Sequence, residues 1–136
     1  MERILGFDVG TKRIGVAVSD PLGFTAQGVM TIERIGMKKD MLAIEELLEK
    51  YEVKKVVVGM PKNMNGTIGP SGEMAQKIGE KIKNKFNIEV IYVDERLSTV
   101  SAERVLIQGD VRREDRKKYI DKVAATYILQ TYLDSI

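Results

Sequence analysis

Arg3-Ile4-Leu5-Gly6-Phe7-Asp8-Val9-Gly10-Thr11-Lys12-Arg13-Ile14-Gly15-Val16-Ala17-Val18 carries two apolar runs around a short polar turn. The first run, Arg3 to Phe7, is short and apolar, the second, Ile14 to Val18, is rich in β-branched residues, and glycines punctuate the link. Two strands joined by a tight turn is the reading this pattern demands. Asp20-Pro21-Leu22-Gly23 is a second turn signal, and a third strand over Thr25 to Ile32 completes a meander.

Beyond it the period changes. Ile44, Leu47, Leu48 and Tyr51 recur at helical spacing, which predicts an amphipathic helix beginning near Asp40 as its N-cap. Val56-Val57-Val58 is a buried strand closed by Gly59-Met60-Pro61. Met74, Ala75, Ile78 and Ile82 mark a second helix, and Val90 to Val93 a fifth strand ending in Asp94-Glu95-Arg96. Ser98 or Thr99 caps a third helix running to Gln108, with Gly109 as its stop. Ile120, Val123, Ala124, Tyr127 and Ile128 mark a last helix. The order βββ-α-β-α-β-α-α predicts an α/β fold. Its mixed five-stranded sheet joins a three-strand antiparallel meander to parallel strands, flanked by helices, in one domain over 1–136.

Composition narrows the chemistry. The 136 residues include no His and no Cys. A Ser-His-Asp triad, a thiol nucleophile, a Cys/His zinc site and a thiolate-held iron–sulfur cluster are therefore excluded. A metal would be held by oxygen, which favours Mg²⁺ or Mn²⁺. The absence of cysteine gives no sign of an oxidising compartment, the N-terminus has no signal-peptide pattern, and no run is long enough to span a membrane. A soluble cytoplasmic protein is expected. A net charge of +2 is too small to argue for nucleic acid by itself.

The acids carry more. Asp8 ends the first strand, Asp94 and Glu95 end the fifth, and Asp121 adjoins the apolar face of the last helix. Ligands of open α/β sheets gather beyond the carboxyl ends of the strands, so three separated segments can converge there. Clustered carboxylates repel, and a divalent cation relieves that repulsion. Two such ions activate water and stabilise a departing oxyanion in phosphodiester cleavage. Alternation along the strand leaves open whether Asp94 or Glu95 faces inward. Taken singly, each acid also has a plainer use: a turn or cap for Asp8 and Asp94, a helical pair with Lys117 or Lys118 for Asp121.

Gly10 and Gly15 either supply positive φ to a hairpin or open a turn whose backbone N–H groups meet phosphate. Asn63 and Asn65 either bind substrate or satisfy their own loop. From Arg112 to Lys122 six basic residues face three acidic ones, which suits a solvated helix face or a phosphate-binding one.

Four segments in order resemble the motifs of one family: Asp8-x-Gly10-x-x-Arg13-Ile14-Gly15-Val16-Ala17; Gly59-x-Pro61 with Asn63, Asn65, Gly66 and Thr67; Asp94-Glu95-Arg96-Leu97-Ser98-Thr99 with Ala102-Glu103; and Lys117-Lys118-x-x-Asp121-x-x-Ala124-Ala125 with Ile128-Leu129. It is the YqgF family of pre-16S rRNA nucleases, also described as Holliday junction resolvases. The resemblance covers essentially the whole chain. It implies a ribonuclease-H-like fold and a Mg²⁺- or Mn²⁺-dependent site with Asp8, Glu95 and Asp121 as catalytic, metal-holding acids and Asp94 nearby. It also implies action on precursor 16S rRNA. Nucleic acid would be met by Lys12, Arg13, Asn63, Arg96, Lys117 and Lys118, with no membrane partner and a monomer or weak homodimer. The rival readings are cleavage of branched DNA, nucleic-acid binding without catalysis, and half of an actin-like ATPase, suggested by the Asp-x-Gly-Thr opening.

Overall fold

The computed structural model describes residues 3–62, 65–94 and 113–136, with side chains of the last stretch from residue 122 onward. Five strands form one sheet: β1 (Ile4–Val9), β2 (Arg13–Ser19), β3 (Ala26–Glu33), β4 (Lys55–Met60) and β5 (Glu89–Asp94). Their order is β3-β2-β1-β4-β5. The first three pair antiparallel, whereas β1–β4 and β4–β5 are parallel. Helices α1 (Met37–Lys50), α2 (Pro70–Phe86) and α3 (Arg113–Ser135) complete the described chain. The mixed five-stranded α/β sheet expected from the sequence is the one observed. The helix expected from Ser98 or Thr99 to Gln108 lies outside the described residues.

Alternation along the strands builds two cores. Leu5, Phe7 and Val9 of β1, Ile14, Val16 and Val18 of β2, and Val56 and Val58 of β4 point to one face. There they bury against Met41, Ile44, Leu47 and Leu48 of α1 and Ala75, Ile78 and Ile82 of α2. Ala17 and Val57 point to the other face, against Ala125, Ile128, Leu129 and Leu133 of α3. The inner strands are covered on both sides, so their sequences read as continuous apolar runs rather than alternating ones.

Helix α3 lies close to the sheet because the row beneath it is nearly free of side chains. Gly6 pairs with Ala17, and Ala17 with Gly28, so three small residues form one row across β1, β2 and β3. A Cβ on Gly6 would stand 2.8 Å from the Leu129 Cβ and 3.3 Å from the Ala125 carbonyl oxygen. A Cβ on Gly28 would meet the Lys122 side chain, with Cγ at 2.9 Å. A register shift between Val16 and Ala17 puts a bulge in β3, which keeps Gly28 in that row.

One expectation is corrected. Helix α1 starts at Met37 after Gly36, one turn earlier than Asp40, and has no side-chain cap. Asp40 lies on the same helical stripe as Ile44 and Leu47 and is buried. Its carboxylate serves Arg34 and the Ile35 N–H rather than the helix terminus. Among the described residues no helix is long and apolar enough to cross a membrane.

Candidate active site

Asp8 is the next-to-last residue of β1, half-buried, at the carboxyl edge of the parallel strands. It shares the parity of Ile4 and Gly6, so it belongs to the face that α3 crosses. Its cross-strand partner on β2 is Gly15. On β4 the pair Phe7–Val58 sets Gly59 beside it. Asp8 is therefore flanked on both neighbouring strands by residues with no side chain. A larger residue at either position would place a side chain directly beside the Asp8 carboxylate.

Helix α3 runs antiparallel to β1. At its far end the Lys55 Nζ donates to the Tyr132 hydroxyl at 3.2 Å, and the Gln130 amide bridges the Phe24 carbonyl and the Ala26 N–H. Midway, Ala125 and Leu129 lie over Gly6. Two residues along β1 cover roughly 6.6 Å, and four residues along a helix roughly 6 Å. The step from Gly6 to Asp8 thus matches the step from position 125 back to position 121. Lys122, 100° further round the helix, lies over β3 at Gly28. Position 121 consequently falls on the arc toward β1 and β4. The backbone brings Asp8 and position 121 to one level of one face, although the chain separates them by more than a hundred residues.

The choice within the 94–95 pair follows from register. Asp94 pairs with Met60 and has the parity of Val90 and Tyr92, which pack toward α1 and α2. Val93 packs on the α3 side. Asp94 therefore belongs to the face opposite Asp8, and Glu95 lies outside the described residues. Among the described residues no three Asp or Glu side chains come together as a metal site. Asp8 and Asp94 are among those residues, whereas Glu95 and the Asp121 side chain are not.

The basic residues divide similarly. Arg13 shares the parity of Gly15 and lies one step nearer the carboxyl edge on the Asp8 face, half-buried and opposite Glu33. Lys12 is exposed in the turn. Lys117 and Lys118 are in the first turns of α3, at its end nearest that edge. Arg96 and Asn63 lie outside the described residues. Asn65 turns out to serve its own loop, accepting from the Thr67 N–H at 3.1 Å and hydroxyl at 2.6 Å.

The expected β1–β2 hairpin is present, but its glycines do not supply positive φ. Neither Gly10 nor Gly15 is among the positive-φ residues. Gly10 is required by close approach instead: a Cβ there would stand 2.9 Å from the Arg13 carbonyl oxygen, to which the Gly10 N–H donates at 2.8 Å. Two features escaped sequence reasoning. The glycine neighbours of Asp8 need the register of β1 against β2 and β4. The Arg34–Asp40 pair was signalled only by an acid on the apolar stripe of α1.

The RuvX Holliday junction resolvase model matches residues 2–135. Close relatives bear the name "Putative pre-16S rRNA nuclease". The one from Caldanaerobacter subterraneus subsp. tengcongensis is 58% identical over 134 residues, covering 98% of this chain and 96% of the relative. The one from Clostridium beijerinckii is 56% identical, covering 98% and 97%. Among solved structures, RuvC of Thermus thermophilus in complex with a Holliday junction substrate superposes with a TM-score of 0.62 at 12% identity, covering 99% of this chain and 95% of that one. The fowlpox virus Holliday junction resolvase superposes with a TM-score of 0.59 at 20% identity, covering 98% and 99%. Both share the fold. On the extent of these matches, the chain belongs to the RuvX family of Holliday junction resolvases.

Proposed function

We propose that this protein is a divalent-metal-dependent nuclease that processes the 5′ end of precursor 16S rRNA, with Asp8, Glu95 and Asp121 as its metal-holding acids. The observation that carries this reading is the convergence of Asp8, flanked by Gly15 and Gly59, with position 121 of α3 on one face of the carboxyl edge. The family and the names of its close members agree with it.

The donor chemistry fits the ion. A chain without His or Cys offers only oxygen, the preference of Mg²⁺ and Mn²⁺. When bound there, such an ion supplies Lewis acidity toward a phosphate and a more acidic water. The protein's own groups then have separable tasks. The Asp8 carboxylate provides anionic oxygens between two glycines of the neighbouring strands. Arg13, on the same face, carries a guanidinium suited to bidentate phosphate contact. Lys12, Lys117 and Lys118 supply the sequence-independent attraction that holds a polyanion along this edge, with Arg96 and Asn63 as further contacts.

A second reading, cleavage of branched DNA, is favoured by the family's description as Holliday junction resolvases. Symmetric cleavage of a junction calls for a two-fold dimer. One experiment addresses both: purified protein is incubated with precursor 16S rRNA and, separately, with junction DNA, in Mn²⁺, Mg²⁺ or EDTA. RNA cleavage restored by either ion, and lost in Asp8→Asn with an unchanged melting curve, is expected. Wild-type rates in Asp8→Asn would refute the role of Asp8. Symmetric junction cleavage with intact rRNA would transfer the assignment to DNA.

A further inference from the structure

We infer that Arg34 is a positioning residue of this site, acting from the opposite face of the sheet through the β1–β2 turn; this rests on the reading of Asp8 above. Arg34 follows β3, and its side chain is largely buried. Its Nε donates to Asp40 Oδ2 at 3.1 Å, and the Asp40 side chain is only 1% exposed. The other Asp40 oxygen accepts from the Ile35 N–H at 3.2 Å. The Arg34 Nη1 donates to the Gly10 carbonyl at 3.0 Å and lies 3.3 Å from the Met74 sulfur. The Arg34 backbone N–H donates to the Lys12 carbonyl at 2.9 Å.

Two bonds from one residue thus grip Gly10 and Lys12, the turn that joins Asp8 to Arg13. The Gly10 N–H closes that turn on the Arg13 carbonyl. A buried ion pair is a weak source of stability, since desolvation offsets most of its attraction. The guanidinium contributes direction instead: Asp40 fixes its plane, and the plane aims Nη1 at a backbone carbonyl two residues from Asp8. A lysine retains the charge but cannot span Asp40 and Gly10 with the same fork geometry. Groups that orient a ligand without touching the ion typically change affinity or rate by about 10–100-fold when removed.

The test compares wild type with Arg34→Lys, and with the apolar double variant Arg34→Met/Asp40→Leu, which removes both charges and so folds even if the single change does not. Three quantities are read on folded protein: amide exchange at Gly10, Mn²⁺ binding by titration, and kcat against KM on precursor rRNA. The expected outcome is faster Gly10 exchange with β4 core amides unchanged, about 10-fold weaker Mn²⁺ binding, and a kcat loss of about 10-fold or more at nearly constant KM. A folded variant with wild-type Gly10 exchange, Mn²⁺ binding and kcat would overturn the role of Arg34 alone. Wild-type protein that neither binds Mn²⁺ nor cleaves would overturn the nuclease reading and this role with it.

Discussion

Gly6 and Gly28 occupy the same row under α3, yet a methyl group added at each should have different consequences. At Gly6 the new Cβ meets the Leu129 Cβ at 2.8 Å and the Ala125 carbonyl oxygen at 3.3 Å. Ordinary carbon contacts lie near 3.5–4.0 Å, so roughly 1 Å must be found. Both obstacles belong to a fully buried segment of helix that has no free rotamer to yield. Overpacking of this kind costs about 1–3 kcal/mol, from which the lower entropy of an unfolded alanine recovers about 0.4–1 kcal/mol. At Gly28 the obstacle is the Lys122 stem, with Cε at 2.6 Å and Cγ at 2.9 Å, on an exposed edge strand. That stem can swing away. At about 2.1 cal/mol/K per residue, the unfolding entropy of 136 residues makes 1 kcal/mol worth roughly 3.5 °C. At mid-range, about 2 kcal/mol of overpacking less about 0.7 kcal/mol, Gly6→Ala should melt about 4–5 °C below wild type, and Gly28→Ala within about 2 °C of it. Lifting α3 at Gly6 also lifts position 121 away from Asp8, and a misplacement of about 1 Å can cost on the order of 100-fold in rate. Thermal unfolding by circular dichroism and rRNA cleavage well below both melting temperatures measure the two effects. Equal melting temperatures for Gly6→Ala and wild type, or a larger loss in Gly28→Ala, would refute the close seating of α3. Full activity in folded Gly6→Ala would refute the coupling of that seating to the site.

Lys12→Ala removes an exposed cation from the turn and should weaken binding of all RNA sequences about equally. It should also reduce the slope of log affinity against log salt by about 1, read by binding titrations over a salt series; an unchanged slope would exclude Lys12 from the phosphate contacts. Burial, reinforced by the hydrogen bond and charge of Glu80, pushes the Tyr92 phenol up to about 12 from 10.0. Folding thus favours the neutral phenol, and this contribution is complete below the unfolded value and lost as pH rises through the folded one. Ultraviolet titration of native protein should show the highest-titrating phenol missing in Tyr92→Phe, and a Tyr92→Phe curve retaining that phenol would remove the assignment.

The strands were legible because burial on both faces leaves an unmistakable mark. Val56-Val57-Val58 has one valine for the α3 core between two for the α1–α2 core, so no polar residue interrupts it. The start of α1 was misread because Asp40 resembles a cap by residue type. An N-cap and a buried ion-pair acid are both aspartates near a helix start, and only the position of Arg34 distinguishes them. Asp8 stood out as the one acid within an apolar run. Its surroundings did not, because Gly15 and Gly59 become neighbours only once β1 is registered against both flanking strands. The same holds for Gly28, whose role depends on a bulge that no local signal announces.

The α3 face of the sheet carries one gradient of residue size along both β1 and α3. Reading β1 toward its carboxyl end, that face presents Ile4, Gly6 and then Asp8. Reading α3 backward over the same ground, its inner arc presents Leu133, Leu129, Ala125 and then position 121. Both elements pass from bulky apolar, through small, to acid in the same spatial direction. The small residues in the middle bring helix and sheet together, and Asp8 and the backbone of position 121 come level where the closely packed layer ends. Two carboxylates held face to face inside that layer would be prohibitively repulsive and desolvated. At its rim Asp8 is only half-buried, and the residues opposite it on β2 and β4, Gly15 and Gly59, add no side chain of their own. Asp8 is the single acid of β1, and it stands at this edge between a glycine on each adjoining strand, with Arg13 one step further out on the same face.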